Sequence, residues 1–314
     1  MSTDKSFDIA QLYEAKREAL QLNWQVAEGS RRLLRLQQPG DFGSDLVGHF
    51  NPVHPGRLHV VGIDEAQWIA DAPDELRDRL VNNMLHNEPF GFFISDGLPV
   101  PPTLLAACVK TQTPLFTTQL CRETVIETLR RLLARRMAET TTLHGVLMDV
   151  FGIGVLITGN SGVGKSELAL DMLSRGHGLV ADDAVDLARV APNTLDGQCP
   201  GLLRDYLEVR GLGFLNIRTI FGETACRRKI RLRLVAHLQK PEAGHEAERL
   251  PLNNQVQAIL GIEVRKIVLP VAAGRNLAVL LEAAMRNTIL QLRGIDSTEE
   301  FMSRQQEAIR NKAP

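Results

Sequence analysis

The chain has 314 residues, 44% of them apolar and 23% charged, with a net charge of −1. This is the composition of a folded, water-soluble protein, and the length suits two domains better than one. The near-zero charge excludes a chain-wide nucleic-acid or membrane-binding character. Met1–Asp8 is polar, without the apolar core of a signal peptide, and no apolar run approaches membrane-spanning length. A cytoplasmic protein with no nucleic-acid and no membrane partner is expected. Cys108, Cys121, Cys199 and Cys226 form no C-x-x-C pair, so four reduced, mostly buried thiols are expected.

Residues 8–22 carry Ile9, Leu12, Tyr13 and Leu20 at helical spacing, with Asp8 placed as N-cap. Leu58–Gly62 reads as a strand, and Asp74 is placed to cap a helix with Leu76, Leu80, Val81, Met84 and Leu85 on one face. Strands are predicted at Gly91–Ser95 and Pro114–Thr118, with a helix opened by Pro101-Pro102 between them. A helix over 120–138 ends in the basic run Arg130–Arg136, read as a solvated face. Strands alternating with helices imply a small N-terminal α/β domain over 1–130.

The remainder, 131–314, is richer in strands: Val146–Val150, Gly154–Thr158, Leu179–Ala181, the alternating Ile230, Leu232 and Leu234, and Val264–Pro270. Two helices close the chain. One covers about 275–292 and stops at Gly294, and the other opens with Ser297–Glu300 as a capping box.

The strongest local signal is Gly159-Asn160-Ser161-Gly162-Val163-Gly164-Lys165-Ser166, which fits G-x-x-x-x-G-K-[ST]. A strand-like run ends directly before it and a helical pattern, Glu167–Leu173, begins directly after. Glycines let backbone N–H groups turn inward around phosphate oxygens, and a helix N-terminus adds partial positive charge. Lys165 is placed to reach the β- and γ-phosphates of a nucleotide, and Ser166 to offer its hydroxyl to Mg²⁺. The strand ending at Ala181 is expected to return parallel to the first by a right-handed crossover. That carries Asp182 and Asp183 to the ligand-binding edge, with different tasks for the two because strand neighbours point to opposite faces. Leu207–Asn216 reads alone as a strand with a glycine bulge, with Glu208 and Arg210 as a surface pair. His144 precedes Gly145 and a strand. A lone histidine is more often structural.

Together these segments resemble the HPr kinase/phosphorylase family. The resemblance rests on His144-Gly145, Gly152–Leu170, Arg175-Gly176-His177, Ala181–Asp183 and Glu208–Gly213, and on the short Leu12–Ala15. It is dense over about 144–276 and looser before that. It implies a C-terminal P-loop kinase domain with a phosphoenolpyruvate-carboxykinase-like core behind the small α/β domain. It also implies ATP bound by residues 159–166, and Ser166 and Glu208 as Mg²⁺ ligands. His144, Lys165, Asp183 and Arg249 become active residues, with Asp183 as proton acceptor in phosphorylation and donor in the reverse. The acceptor it implies is a serine of the carrier protein HPr, and the assembly a homo-oligomer, a hexamer. Leu207–Asn216 matches a signature needed in both directions, and Pro270–Arg275 a loop tied to dephosphorylation. The family usually has a basic residue and proline where this chain has Ala272-Ala273, which bears on the strength of the reverse direction. Two alternatives predict different outcomes. A small-molecule P-loop kinase turns over a metabolite without a protein acceptor, and a nucleotide-binding regulator binds without transfer.

Overall fold

Short apolar runs alternating with amphipathic segments build two α/β units in the computed structural model, Met1–Glu139 and Thr140–Pro314. The structure describes residues 7–36, 40–54, 56–240, 255–272 and 274–310.

The first unit runs β1 (Phe7–Asp8), α1 (Ile9–Lys16), β2 (Asn23–Val26), β3 (Leu33–Leu34), β4 (Val47–His49), β5 (Leu58–Val61), α2 (Ile63–Asp71), α3 (Asp74–His86), β6 (Gly91–Ile94), α4 (Pro102–Thr111), β7 (Leu115–Thr117) and α5 (Arg122–Arg136). Its sheet has the order β2-β7-β6-β5-β4, parallel from β4 to β7 with β2 antiparallel at the edge. Strand alternation divides the core between the two faces. Val60, Phe93 and Phe116 pack with helices α1 and α5, while Val61, Phe92 and Ile94 pack with α3 and α4. Asp8 does cap α1, in a capping box with Gln11. The expected helix over 8–22 is shorter, because the chain turns after Lys16 and Gln21 takes a positive φ of 49°. Leu20 is buried from that turn. Asp74 is the first residue of α3 and pairs with Arg77; Pro73 occupies the cap position. The basic run is the expected solvated face: Arg130, Arg131, Arg135 and Arg136 are all exposed. Arg130 donates to the Val47 carbonyl at 3.0 Å, and the Arg136 guanidinium lies 5.5 Å from the centre of the Phe7 ring.

The second unit continues from β8 (Glu139–His144) through β9 (Val146–Val150), β10 (Ile153–Gly159), α6 (Lys165–Ser174), β11 (Gly178–Ala181), β12 (Ala184–Ala191), β13 (Thr194–Gln198), β14 (Tyr206–Val209), β15 (Gly213–Asn216), α7 (Ile217–Phe221), β16 (Lys229–Gln239), β17 (Val256–Ile259), β18 (Ile262–Pro270), α8 (Leu277–Leu292) and α9 (Ser297–Arg310). The long strand β16 serves two sheets. Its start, Lys229–Arg231, pairs antiparallel with β13, which leads on to β12 and β8. Its later part, Leu232–Gln239, runs parallel between β10 and β18. β10 is apolar along its length because both its faces are covered. Val155 and Ile157 pack with α6 and α8, and Leu156 packs on the opposite side with Val235 and Val185.

The expected return of the strand ending at Ala181 needs correction. β11 does not pair with β10. β9 lies between them, antiparallel to both, so β11 shares the direction of β10 without touching it. The C-terminal ends of β10 and β11 still fall on one edge of the sheet, which is what matters for the site. α9 is capped one residue earlier than expected, with Asp296 Oδ1 accepting from the Glu299 N–H at 3.3 Å. Gly294, at φ 81°, follows the end of α8 as expected. Burial pushes the Cys108 thiol up to about 12 and those of Cys199 and Cys226 up to about 11. All four cysteines are free, and only Cys121 is exposed.

Candidate active site

Strand β10 ends at Gly159, and the chain re-enters a helix at Lys165. The turn between them needs backbone conformations that side chains resist. Gly159, Gly162 and Gly164 have φ of 142°, 71° and 105°. A Cβ at Gly159 would sit 2.5 Å from the Leu238 carbonyl oxygen, so strand β16 is packed hard against the start of the loop. Val163 anchors the loop by burying its side chain in the core under α6. Lys165 is buried, and its Nζ donates to the carbonyls of Gly159 at 3.1 Å and Asn160 at 3.2 Å. The ammonium is thus held at the centre of the turn, beside the first N–H groups of α6.

An open cleft of about 370 Å³ lies over this turn. The loop contributes Ser161, Gly162, Gly164, Lys165 and Ser166 to its lining, and three other segments contribute His144, Asp182 with Asp183, and Glu208–Gly211 with Gly213. Arg249 lies outside the described residues, as does Ala273 of the Pro270–Arg275 loop. Arg275 does not line the cleft; its N–H closes a turn on the Ala272 carbonyl, and among the described residues it has no carboxylate partner.

The two aspartates are placed quite differently. Asp183 takes a positive φ of 65°, a region where aspartate is tolerated better than most residues, and its side chain is exposed. His144 Nδ1 stands 3.0 Å from Asp183 Oδ1. The backbone fixes this pair, since Gly145 N–H donates to the Asp183 carbonyl at 3.1 Å. Gly145 itself leaves no room for a side chain, as a Cβ there would come within 2.6 Å of the Ile157 carbonyl oxygen. Asp182 is buried and accepts the Glu208 N–H at 2.8 Å. Burial raises its pKa above the ordinary value, against the hydrogen bonds from the Glu208 and Asp183 N–H groups; the charges of Asp183 and Glu208 push the same way as burial.

Leu207–Asn216 is a two-stranded hairpin and not a single bulged strand: β14 and β15 pair antiparallel with Glu208 opposite Phe214. Leu207 and Val209 bury one face in the core, which turns Glu208 to the cleft. Arg210 is not the surface partner of Glu208. It follows the end of β14, and a methyl group placed on Gly162 would lie 3.3 Å from its guanidinium. An arginine without a carboxylate partner among the described residues therefore overhangs the glycine turn. Sequence spacing hides this residue.

The donor set has a bearing on metal binding. Among the described residues no group of three or more His, Cys, Asp or Glu side chains could hold a metal alone. Around the glycine turn the cleft lining includes the Ser166 hydroxyl and, from a separate segment, the Glu208 carboxylate. This fits Mg²⁺, which takes one or two protein oxygens and completes its shell with phosphate oxygens and water.

A strand, a glycine turn and a helix enclosing a buried lysine, with acidic groups on the same sheet edge, define the P-loop phosphotransferase class. The chain belongs to the HPr serine kinase family. Residues 7–133 match the model of the HPr serine kinase N terminus and residues 135–305 that of the HPr serine kinase C-terminal domain. It is 51% identical over 300 residues to the HPr kinase/phosphorylase of Aromatoleum aromaticum, covering 95% of this chain and 96% of that protein. The HPr kinase/phosphorylase of Azoarcus sp. is 52% identical over 298 residues, with 95% of each chain covered. That of Paraburkholderia xenovorans is 47% identical over 309 residues, with 98% and 96% covered. No helix among the described residues is long and apolar enough to cross a membrane.

Proposed function

We propose that this chain transfers the γ-phosphoryl group of Mg-ATP to a serine of HPr and, in reverse, removes it by phosphorolysis, acting in the cytoplasm. Family membership over nearly the whole chain supports the activity. The observation that carries the mechanism is the Asp183–His144 pair, 3.0 Å apart, in the same cleft as Lys165 and Glu208.

In the forward direction Asp183 takes the proton of the incoming serine hydroxyl as its oxygen attacks phosphorus. General base help of this kind is worth roughly a hundred- to ten-thousand-fold. His144 holds the carboxylate and fixes which oxygen faces the acceptor. Lys165 meets the negative charge of the phosphates, joined by Arg210 and, by family resemblance, Arg249. Ser166 and Glu208 would hold Mg²⁺, which when bound neutralises charge on the phosphate oxygens. Asp182 fixes the Glu208 backbone and so the direction of its carboxylate. In reverse, inorganic phosphate attacks the phosphoserine phosphorus, the P–O bond to serine breaks, pyrophosphate forms, and Asp183 returns a proton to the serine oxygen. One carboxylate serves both directions by microscopic reversibility.

The test is incubation of the protein with Mg-ATP and HPr, followed by intact-mass detection of the phosphoprotein and mapping to serine. Nucleotide binding with no transfer would support a regulator instead, and turnover of a phosphorylated metabolite without HPr would support a small-molecule kinase.

A further inference from the structure

The face of the hairpin that carries Glu208 also carries side chains that the phosphate chemistry does not use. Leu207 and Val209 point into the core, with Leu215 packed against it. On the opposite face Glu208 stands across from Phe214, because directly paired residues of an antiparallel ladder project on the same side. Phe214 is 67% exposed and Leu212, in the turn, is 64% exposed. The turn is built on Gly211 and Gly213, both at positive φ and both lining the cleft. Two large apolar side chains thus stand on the rim of the cleft with water around them, next to the cationic Arg210.

Single exposed apolar residues need no explanation. These two differ in where they stand. A serine hydroxyl lies only two bonds from its own backbone, so a protein acceptor must bring its main chain close to Asp183 to react. A specific protein interface covers about 800 Å² on each partner, a disc of about 16 Å radius. Cβ atoms of opposed strand residues lie about 5 Å apart. A partner centred on the cleft therefore covers Phe214 whenever it reaches past Glu208. Aromatic and arginine side chains at such positions are the kind that dominate binding energy.

We propose that Leu212 and Phe214 form a docking ridge for the protein that presents the serine, engaging exposed apolar side chains beside the target residue. The inference rests on the proposed HPr activity. It makes the hairpin a two-sided device, in which one strand position serves the phosphate end and the residue across from it serves the protein end. Because phosphorylated and unphosphorylated acceptor share that surface, the ridge acts in both directions.

The experiment compares wild type with Leu212→Ser, Phe214→Ser and the conservative Phe214→Leu. Kinetics are measured with Mg-ATP plus HPr and with phosphate plus phosphoserine-HPr, alongside nucleotide affinity, thermal melting and light scattering. The expected result is a tenfold or greater rise in KM for both protein substrates in the serine variants, with the loss falling on KM and not on kcat. Nucleotide affinity and melting temperature stay unchanged, and Phe214→Leu recovers most of the lost affinity. Unchanged KM values, or a fall in kcat alone, would overturn the ridge. So would a change of oligomeric state that accounts for the loss, since a second copy of the chain would then be the occupant. If wild type itself fails to phosphorylate HPr, the failure lies with the activity. If wild type is active and the variants bind HPr normally, it lies with the ridge.

Discussion

Replacing Asp182 and Asp183 separately tests whether two adjacent carboxylates do unlike work. Asp182 lies buried, with its Oδ2 on the Glu208 N–H at 2.8 Å. Asp182→Ala leaves that partly buried N–H without an acceptor, which costs about 1–3 kcal/mol. Removal of a buried charge offsets part of this, so a net loss of about 1–2 kcal/mol is expected. For a unit of this size that lowers the melting temperature by roughly 2–8 °C. Asp182→Asn keeps an oxygen acceptor and drops the charge, so the fold should hold or gain. The pH dependence has a definite sign. Burial raises the Asp182 pKa, so the protonated group suits the fold and the ionised group strains it. Stability from this residue is present at low pH and lost as pH rises through the raised value. The melting advantage of Asp182→Asn over wild type should therefore grow from acid pH towards neutrality and then level off. Asp183→Asn should melt like wild type, bind nucleotide, and lose roughly a hundred- to ten-thousand-fold of transfer in both directions. Calorimetry across pH and transfer assays on the same samples decide the matter. A dead Asp182→Asn beside a nearly normal Asp183→Asn would refute the assignment.

Lys165→Ala gives up two hydrogen bonds to loop carbonyls, a loss of about 1–3 kcal/mol, and should remain folded by circular dichroism while transfer falls below detection. Arg210→Ala should lower kcat about ten- to a hundred-fold, less than a fully enclosed donor would; a normal kcat would remove Arg210 from the mechanism. Arg275→Ala should impair phosphate removal more than phosphate addition, because the reverse reaction brings two anions together. Equal losses, or none, in the two separate assays would reject that role. Light scattering should show a hexamer at working concentration, and a monomer would contradict the family-based expectation.

What the sequence discloses depends on how far apart in the chain cooperating groups lie. Gly159–Ser166 is legible because strand, turn and helix are contiguous, and each glycine marks a backbone that only glycine adopts easily. Asp183 is legible through the direction of β11, although the intervening β9 is not. The task of Asp182 is hidden, since its partner is a backbone N–H 26 residues away. Arg210 is misjudged for a local reason. Two-residue spacing from Glu208 places both on one face of a continuous strand, but the strand ends at Val209 and the turn carries the guanidinium to Gly162. The shared role of β16 leaves no trace, because its alternation continues unbroken while its neighbours change.

That shared strand limits how the molecule can vary in length. Side chains in a strand alternate strictly, so adding or deleting one residue in the middle of β16 would move Leu234, Ala236 and Leu238 off the face they share with α6 and α8, and exchange them with Val235. The same slip would shift the pairing with β13, β10 and β18 together. Substitution by another apolar residue is absorbed locally, whereas a change of length is felt in both sheets. Room for insertion lies outside this strand, in a turn such as Pro192–Thr194, where one hairpin lengthens without moving the frame that carries the phosphate turn.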